Sequence, residues 1–387
     1  MRKMCSYKID YNVVRLGEKF YFDWINSISN PRYYQKRILN ELLKFYSKTH
    51  YGSKYNASEI MGFNDFRNNF PIVKYNDLEH LILSVLNGRY DELIAEKPIL
   101  FGVTSGSMGK PKLIPLTLTE LQCRIRIMLA GLSGLYFRFG GKILGDVLIV
   151  KMPICIYEEN GLKFCYISGL LELIFQSILM NKNLNDLINN LKVEFIPKTR
   201  RDYNLLFEYA YKFYRDVDVK LMIGSAPLLI FFAWYLRKKY NLIPKDLWDI
   251  KVVLATGVPY IHDYYSDLLY KLYGDQISIV ELYGSTEALI AMQIDDNPYV
   301  APFYNQYFLE VKVNGKVKML FEMVDGEIGS LIISNSILPR YYIGDLIECI
   351  EEGKYFKLHG RDKIFNRLRI NFENFINRIT NLIYRVF

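Results

Sequence analysis

The segment Thr104-Ser-Gly-Ser-Met-Gly-Lys-Pro-Lys112 follows directly on an apolar run and holds two glycines, three hydroxyl side chains and two lysines. Glycines let a loop turn successive backbone N–H groups toward one point, and such a concavity binds an anion. Lys110 and Lys112 add positive charge. The spacing is not that of a P-loop, because no glycine stands five residues before Gly109 and Pro111 takes the place of the magnesium-binding Ser or Thr. Read alone, the segment is equally an ordinary glycine-rich turn. Further along, Glu281-Leu-Tyr-Gly-Ser-Thr-Glu287 sets an aromatic ring, hydroxyls and a carboxylate within one short stretch. Taken singly, Glu287 reads as a solvated carboxylate, Asp345 after Gly344 as a turn residue, and Tyr283 as core.

The rest of the chain must position these groups. It has 387 residues, 51% of them hydrophobic and 23% charged. A sizeable core can be built, which excludes a disordered or low-complexity protein. A net charge of +8 over this length does not point to nucleic acid. The five cysteines form no Cys-x-x-Cys pair and the four histidines no metal-ligand spacing, so a reduced, cytoplasmic chain without structural zinc is expected. The amino terminus carries no apolar run that would read as a secretion signal. The most apolar stretch, Leu221 to Leu236, is short of the ~20 residues a membrane helix needs and is broken at Gly224-Ser-Ala-Pro227. It predicts a buried strand, a turn, and a helix starting near Pro227.

Residues 1–95 read as mainly helical: Ile38, Leu39, Leu42, Leu43 and Tyr46 recur at helical spacing. Asn76 and Glu79 have the spacing of a capping box, and Asn87-Gly88 marks that helix's end. From about residue 98, strands are predicted at 98–103, 147–152, 219–223, 251–255 and 277–282. Helices are predicted at 168–180, 201–214, 227–240 and 260–273. Asn314-Gly315 between two alternating runs predicts a hairpin in an antiparallel last third.

Five segments in this order resemble the signatures of the acyl-adenylate-forming enzymes: the 104–112 loop; Ala255-Thr-Gly-Val-Pro259; Glu281 to Glu287, similar to Tyr-Gly-x-Thr-Glu; Gly326-Glu-Ile-Gly-Ser-Leu331 with Tyr342-Ile-Gly-Asp345; and Gly360-Arg-Asp362. Residues 64–79 together with Lys112-Leu-Ile-Pro-Leu-Thr117 look most like the auxin-responsive acyl acid–amido synthetases, with phenylacetate–CoA ligases next. The resemblance implies an α/β fold: a large adenylating domain over 1–361, of mixed sheets with flanking helices and a small antiparallel β region. It implies ATP-dependent activation of a small carboxylic acid to an acyl-adenylate, then transfer to an amine. Transfer to CoA or a carrier-protein thiol is the alternative. A non-catalytic nucleotide-binding subunit served by a separate lid protein is another. Neither nucleic acid nor membrane is expected as a partner.

By the same resemblance, Thr104, Ser105, Gly106, Ser107 and Gly109 would hold the β- and γ-phosphates, with Lys112 as a nearby point charge. Gly257, Val258 and Pro259 would form the adenine slot with the ring of Tyr283, and Gly284, Ser285 and Thr286 would follow, Thr286 on the α-phosphate. Glu287 would hold Mg²⁺. Asp345 would take the ribose hydroxyls, with Arg361 beside it. Thr104, Lys112 and Glu287 are the catalytic candidates. His262 and His359 receive no role. Met108 stands where the family usually has Thr. The chain's last residue lies 25 beyond Asp362, so the family's C-terminal lid is expected to be reduced to a stub over 362–387. Phe375, Ile376, Ile379, Leu382 and Ile383 share one helix face there, and residues 361–387 carry six basic against two acidic side chains, a candidate docking surface for an acidic partner.

Overall fold

The computed structural model describes residues 7–104, 111–180 and 182–361. The expectations placed on Ser105, Gly106, Ser107, Met108, Gly109, Lys110 and the 362–387 stub lie outside the described residues.

Three sheets organise the chain. The seven-stranded sheet runs in chain order: Tyr7–Ile9, Gly145–Val150, Val219–Ser225, Val252–Thr256, Ser278–Gly284, Leu289–Met292 and Ala301–Pro302. Its four strands between 145 and 284 are parallel, and the outer pairings are antiparallel. Parallel strands are covered on both faces, which explains their continuous apolar runs. Alternation divides the load. Leu221, Ile223, Val252, Leu254, Val280 and Leu282 join the core that holds the amino-terminal helices. Met222, Val253, Ala255 and Ile279 join a second core under helices Arg200–Tyr214, Ala226–Tyr240 and Ser266–Tyr273.

The first core receives Tyr11–Ser29, Pro31–Tyr46 and the 22-residue helix Leu118–Phe139. Helix Tyr75–Leu86 corrects one expectation. Its cap is Lys74, whose backbone N–H donates to Asp77 Oδ2 at 2.8 Å, and not the Asn76–Glu79 pair. The helix does end at Asn87, with Gly88 at φ 90°.

The five-stranded antiparallel sheet has the order Lys316–Met319, Phe308–Val313, Ile328–Ser334, Tyr341–Glu351, Tyr355–Arg361. Asn314 and Gly315 close its first hairpin at φ 48° and 84°, the two positive values a two-residue turn of this hand requires. The four-stranded sheet has the order Leu113–Leu116, Leu100–Val103, Leu162–Tyr166, Cys155–Glu159. No described helix is long and apolar enough to cross a membrane.

Candidate active site

In open α/β sheets, ligands bind beyond the carboxyl ends of the strands. Strand Leu100–Val103 ends at Thr104, Val252–Thr256 at Gly257, and Ser278–Gly284 at Ser285. These three ends open on one cavity of about 990 Å³. It lies at the upper end of the ~300–1,000 Å³ typical of ligand sites. Thr104, Gly257, Val258, Pro259, Tyr283, Gly284, Ser285, Thr286, Glu287, Asp345 and Arg361 all line it. Residues far apart in the chain are thus brought to one place by the three sheets.

Asp345 and Arg361 face each other across the last two strands of the five-stranded sheet. Arg361 Nε lies 3.0 Å from Asp345 Oδ1, and the Tyr283 hydroxyl donates to Oδ2 at 2.8 Å. Arg361 also donates to the Ile343 carbonyl. Burial raises the Asp345 pKa, while Arg361 and Tyr283 pull it back down. Each carboxylate oxygen has a second lone pair available to a ligand hydroxyl.

Lys112 is not a wall residue, but it belongs to the same network. Its Nζ donates to the Tyr341 hydroxyl at 3.2 Å, and that hydroxyl donates to Glu287 Oε1 at 3.3 Å. Its backbone N–H donates to Thr104 Oγ1 at 2.9 Å, and Thr104 N–H to the Lys112 carbonyl at 3.1 Å. These two bonds join the residues that flank the glycine-rich segment. Glu287 is buried, yet it borders the cavity. A single carboxylate of this kind is the protein ligand Mg²⁺ uses when phosphates and water complete its octahedron, so the donor fits the ion expected there.

The cavity has further polar walls to which the sequence assigned nothing. Glu281 is buried, and burial raises its carboxyl to about 7, with Asp263 adding to the rise and Lys357 opposing it. His359 Nε2 sits 2.6 Å from Glu348 Oε2, and its Nδ1 sits 3.0 Å from the Tyr260 hydroxyl. Tyr260 holds φ 60°, a left-handed conformation that costs a non-glycine residue of order 1 kcal/mol. Sequence offered one clue, since Glu281 opens a motif already singled out. Of the partners of His359, Glu348 stands on the neighbouring paired strand and Tyr260 lies 99 residues away, and together they leave no local pattern.

The fold, with its strand ends gathered on one cavity, is similar to that of solved acyl acid amido synthetase and acyl-CoA ligase structures. Residues 24–172 match the GH3 family N-terminal domain. The solved structure of AtGH3.15 acyl acid amido synthetase with 2,4-DB superposes with a TM-score of 0.72 at 19% identity, covering 92% of this chain and 71% of that one. A 2-hydroxyisobutyryl-CoA ligase in the postadenylation state gives 0.58 at 15% identity, over 84% and 67% of the two chains. In sequence, indole-3-acetic acid-amido synthetase GH3.15 of Arabidopsis thaliana is 32% identical over 123 residues, which is 31% of this chain and 20% of the relative. The probable indole-3-acetic acid-amido synthetase GH3.13 of Oryza sativa subsp. japonica is 35% identical over 97 residues, 22% and 21% of the two. The matched sequence therefore spans about a fifth of the curated relatives' length.

Proposed function

We propose that the chain activates a carboxylic acid with ATP and passes the acyl group to an amine. One substrate carboxylate oxygen attacks the α-phosphorus, the bond from that phosphorus to the bridging oxygen breaks, and pyrophosphate leaves. An amine nitrogen then attacks the acyl carbonyl, AMP leaves, and the nitrogen loses a proton. The observation that carries the reading is the convergence of Tyr283, Thr286, Glu287, Asp345 and Arg361 on one cavity wall. In their proposed roles Asp345 takes the ribose hydroxyls, Thr286 the α-phosphate, and Thr104 and Lys112 the phosphate side. Mg²⁺ bound at Glu287 would offset charge that develops on the phosphate oxygens. Such positioning and charge stabilisation supply most of the rate in transfers at phosphorus.

Away from these groups the wall includes Met152, Tyr166, Ile167, Ile196, Pro197 and Tyr203, apolar and aromatic surface suited to a carboxylate substrate whose carbon skeleton is hydrophobic and carries no further charge. The amido synthetases among the sequence relatives favour an amine over a thiol acceptor. Among the described residues, four buried free cysteines fit a reducing cytoplasm. We treat residues 1–361 as one adenylating unit.

The test is acid-dependent ATP–pyrophosphate exchange over a panel of aryl and aliphatic acids, followed by product analysis with amino acids or CoA. Exchange with amide formation supports the reading, and thioester formation replaces the amine by a thiol. Exchange with neither product points to an acceptor domain or carrier on another chain. Nucleotide binding without exchange for any acid would overturn it.

A further inference from the structure

Ser285, Thr286 and Glu287 line the cavity, and two carbonyls of this turn are held by side chains that do not line it. The Thr286 carbonyl accepts from Arg124 Nη2 at 2.9 Å, and the Glu287 carbonyl from Asn335 Nδ2 at 3.0 Å. Arg124 belongs to helix Leu118–Phe139 and is fully buried. Its Nε donates to Glu120 Oε1 at 3.2 Å, one helical turn earlier, and the same oxygen takes the Tyr307 hydroxyl at 3.2 Å. Arg124 Nη1 is buried without a hydrogen-bond partner among the described residues.

Stability alone does not account for this pair. Taking two charges out of water is expensive, and well-packed apolar residues of similar volume are commonly as stable or more so. Around the pair the helix buries Leu121, Ile127, Met128, Leu129 and Leu132, so an apolar substitute was within reach of the same surroundings. What an apolar pair cannot supply is direction. The guanidinium is a planar fork: one arm is fixed by Glu120, and the other meets the Thr286 carbonyl in a charge-assisted bond. Fixing that carbonyl fixes the peptide plane between Thr286 and Glu287, and with it the directions in which both side chains leave the backbone.

We propose that Arg124, tethered by Glu120, is a positioning residue that aims the Thr286 hydroxyl and the Glu287 carboxylate at the reacting phosphate. The proposal rests on the adenylating reading. A displacement of ~1 Å at groups that orient reactants costs up to about a hundredfold in rate, so the effect should fall on turnover more than on acid binding. A lysine supplies one point charge and cannot hold Glu120 and the carbonyl in a single plane, so it should recover part of the loss.

The experiment compares wild type with R124M, R124K and the double variant E120Q/R124M in pyrophosphate exchange, with circular dichroism and thermal melting alongside. R124M leaves Glu120 buried and unpaired and is the variant at risk of misfolding; the double variant removes both charges together. We expect the folded double variant to lose at least tenfold in turnover and to need more Mg²⁺ for half-maximal rate. The KM for the acid should move less than threefold, and R124K should lie between. If neither Met variant folds, R124K decides on the same two readouts. A folded variant with wild-type turnover and magnesium dependence overturns the proposal. So does lost turnover with an unmoved magnesium midpoint and no recovery in R124K, which marks a purely structural pair. Wild type without exchange on any acid overturns the adenylating reading first, before any variant is compared, and the proposal with it.

Discussion

The Tyr283 hydroxyl donates to Asp345 Oδ2 at 2.8 Å, and this one bond joins the seven-stranded sheet to the five-stranded sheet inside the cavity. Asp345 therefore has a structural neighbour as well as a proposed ligand, and the choice of variant matters. Asp345→Ala would leave the buried Tyr283 hydroxyl without an acceptor. Asp345→Asn keeps one. Because burial raises the Asp345 pKa, the native carboxyl keeps its proton where the unfolded one has lost it. Its contribution to stability thus declines as pH rises from the unfolded value toward the raised native one. At neutral pH we expect Asp345→Asn to melt at or near the wild-type temperature while ATP affinity falls by about 1.5–3 kcal/mol, the scale of one lost hydrogen bond to a charged group. Calorimetry showing wild-type ATP affinity for the folded variant removes Asp345 from the ribose role.

Glu287→Gln separates metal binding from hydrogen bonding. The amide oxygen still accepts from Tyr341, which donates to Glu287 Oε1 at 3.3 Å in the native protein. It lacks the anionic oxygen Mg²⁺ prefers. Exchange should fall by at least about tenfold, or ~1.4 kcal/mol in the barrier, with nucleotide affinity much less dependent on magnesium. A magnesium titration that overlays wild type would place the metal elsewhere.

Glu281 gives a stability test that needs no substrate. Its carboxyl is raised from 4.5 to about 7, chiefly by burial, then by Asp263, against the pull of Lys357. Between those values the native state holds a proton that the unfolded state has released, so stability falls as pH rises through that window. Glu281→Gln carries no such slope. In urea unfolding, the stability of the variant relative to wild type should grow by about 2–3 kcal/mol between about pH 4.5 and pH 8. Parallel stability curves for the two proteins would show that Glu281 does not titrate in this range.

The parts of this molecule that are legible in sequence have a local cause. The four parallel strands are short apolar runs bounded by turns, and Asn314-Gly315 is a turn signal written in two residues. Helix Leu118–Phe139 is absent from the sequence expectations, because it buries Leu121, Cys123, Arg124, Ile127, Met128, Leu129, Ala130 and Leu132 on more than one side and shows no single stripe. The hairpin Cys155–Tyr166 is absent from them too, although Asn160 and Gly161 repeat the same positive-φ turn at 50° and 76°. The motif residues of the site are legible through their collinear order. Arg124 leaves a fainter mark, a Glu and an Arg four apart inside an apolar helix, whose meaning depends on a carbonyl 162 positions away.

The last relationship lies on the far side of Thr286. Gly102, in strand Leu100–Val103, faces it so closely that a Cβ there would lie 2.8 Å from Thr286 Cγ2 and 3.4 Å from Leu116 Cδ1. The threonine methyl is buried and branches from Cβ, so it cannot swing aside without turning the hydroxyl proposed to meet the α-phosphate. Overpacking of this kind costs about 1–3 kcal/mol. Gly102→Ala should therefore lower stability on that scale and cut exchange by at least about tenfold. Thr286→Ser keeps the hydroxyl and removes the offending methyl, and alone it should cost less than about 1.5 kcal/mol. The pair is in contact, so the two changes should couple: adding Thr286→Ser to the alanine variant should restore its melting temperature and much of its exchange rate. Strict additivity in the double variant would mean that Gly102 and Thr286 do not constrain each other, and that the strand is conformationally free at this wall of the cavity.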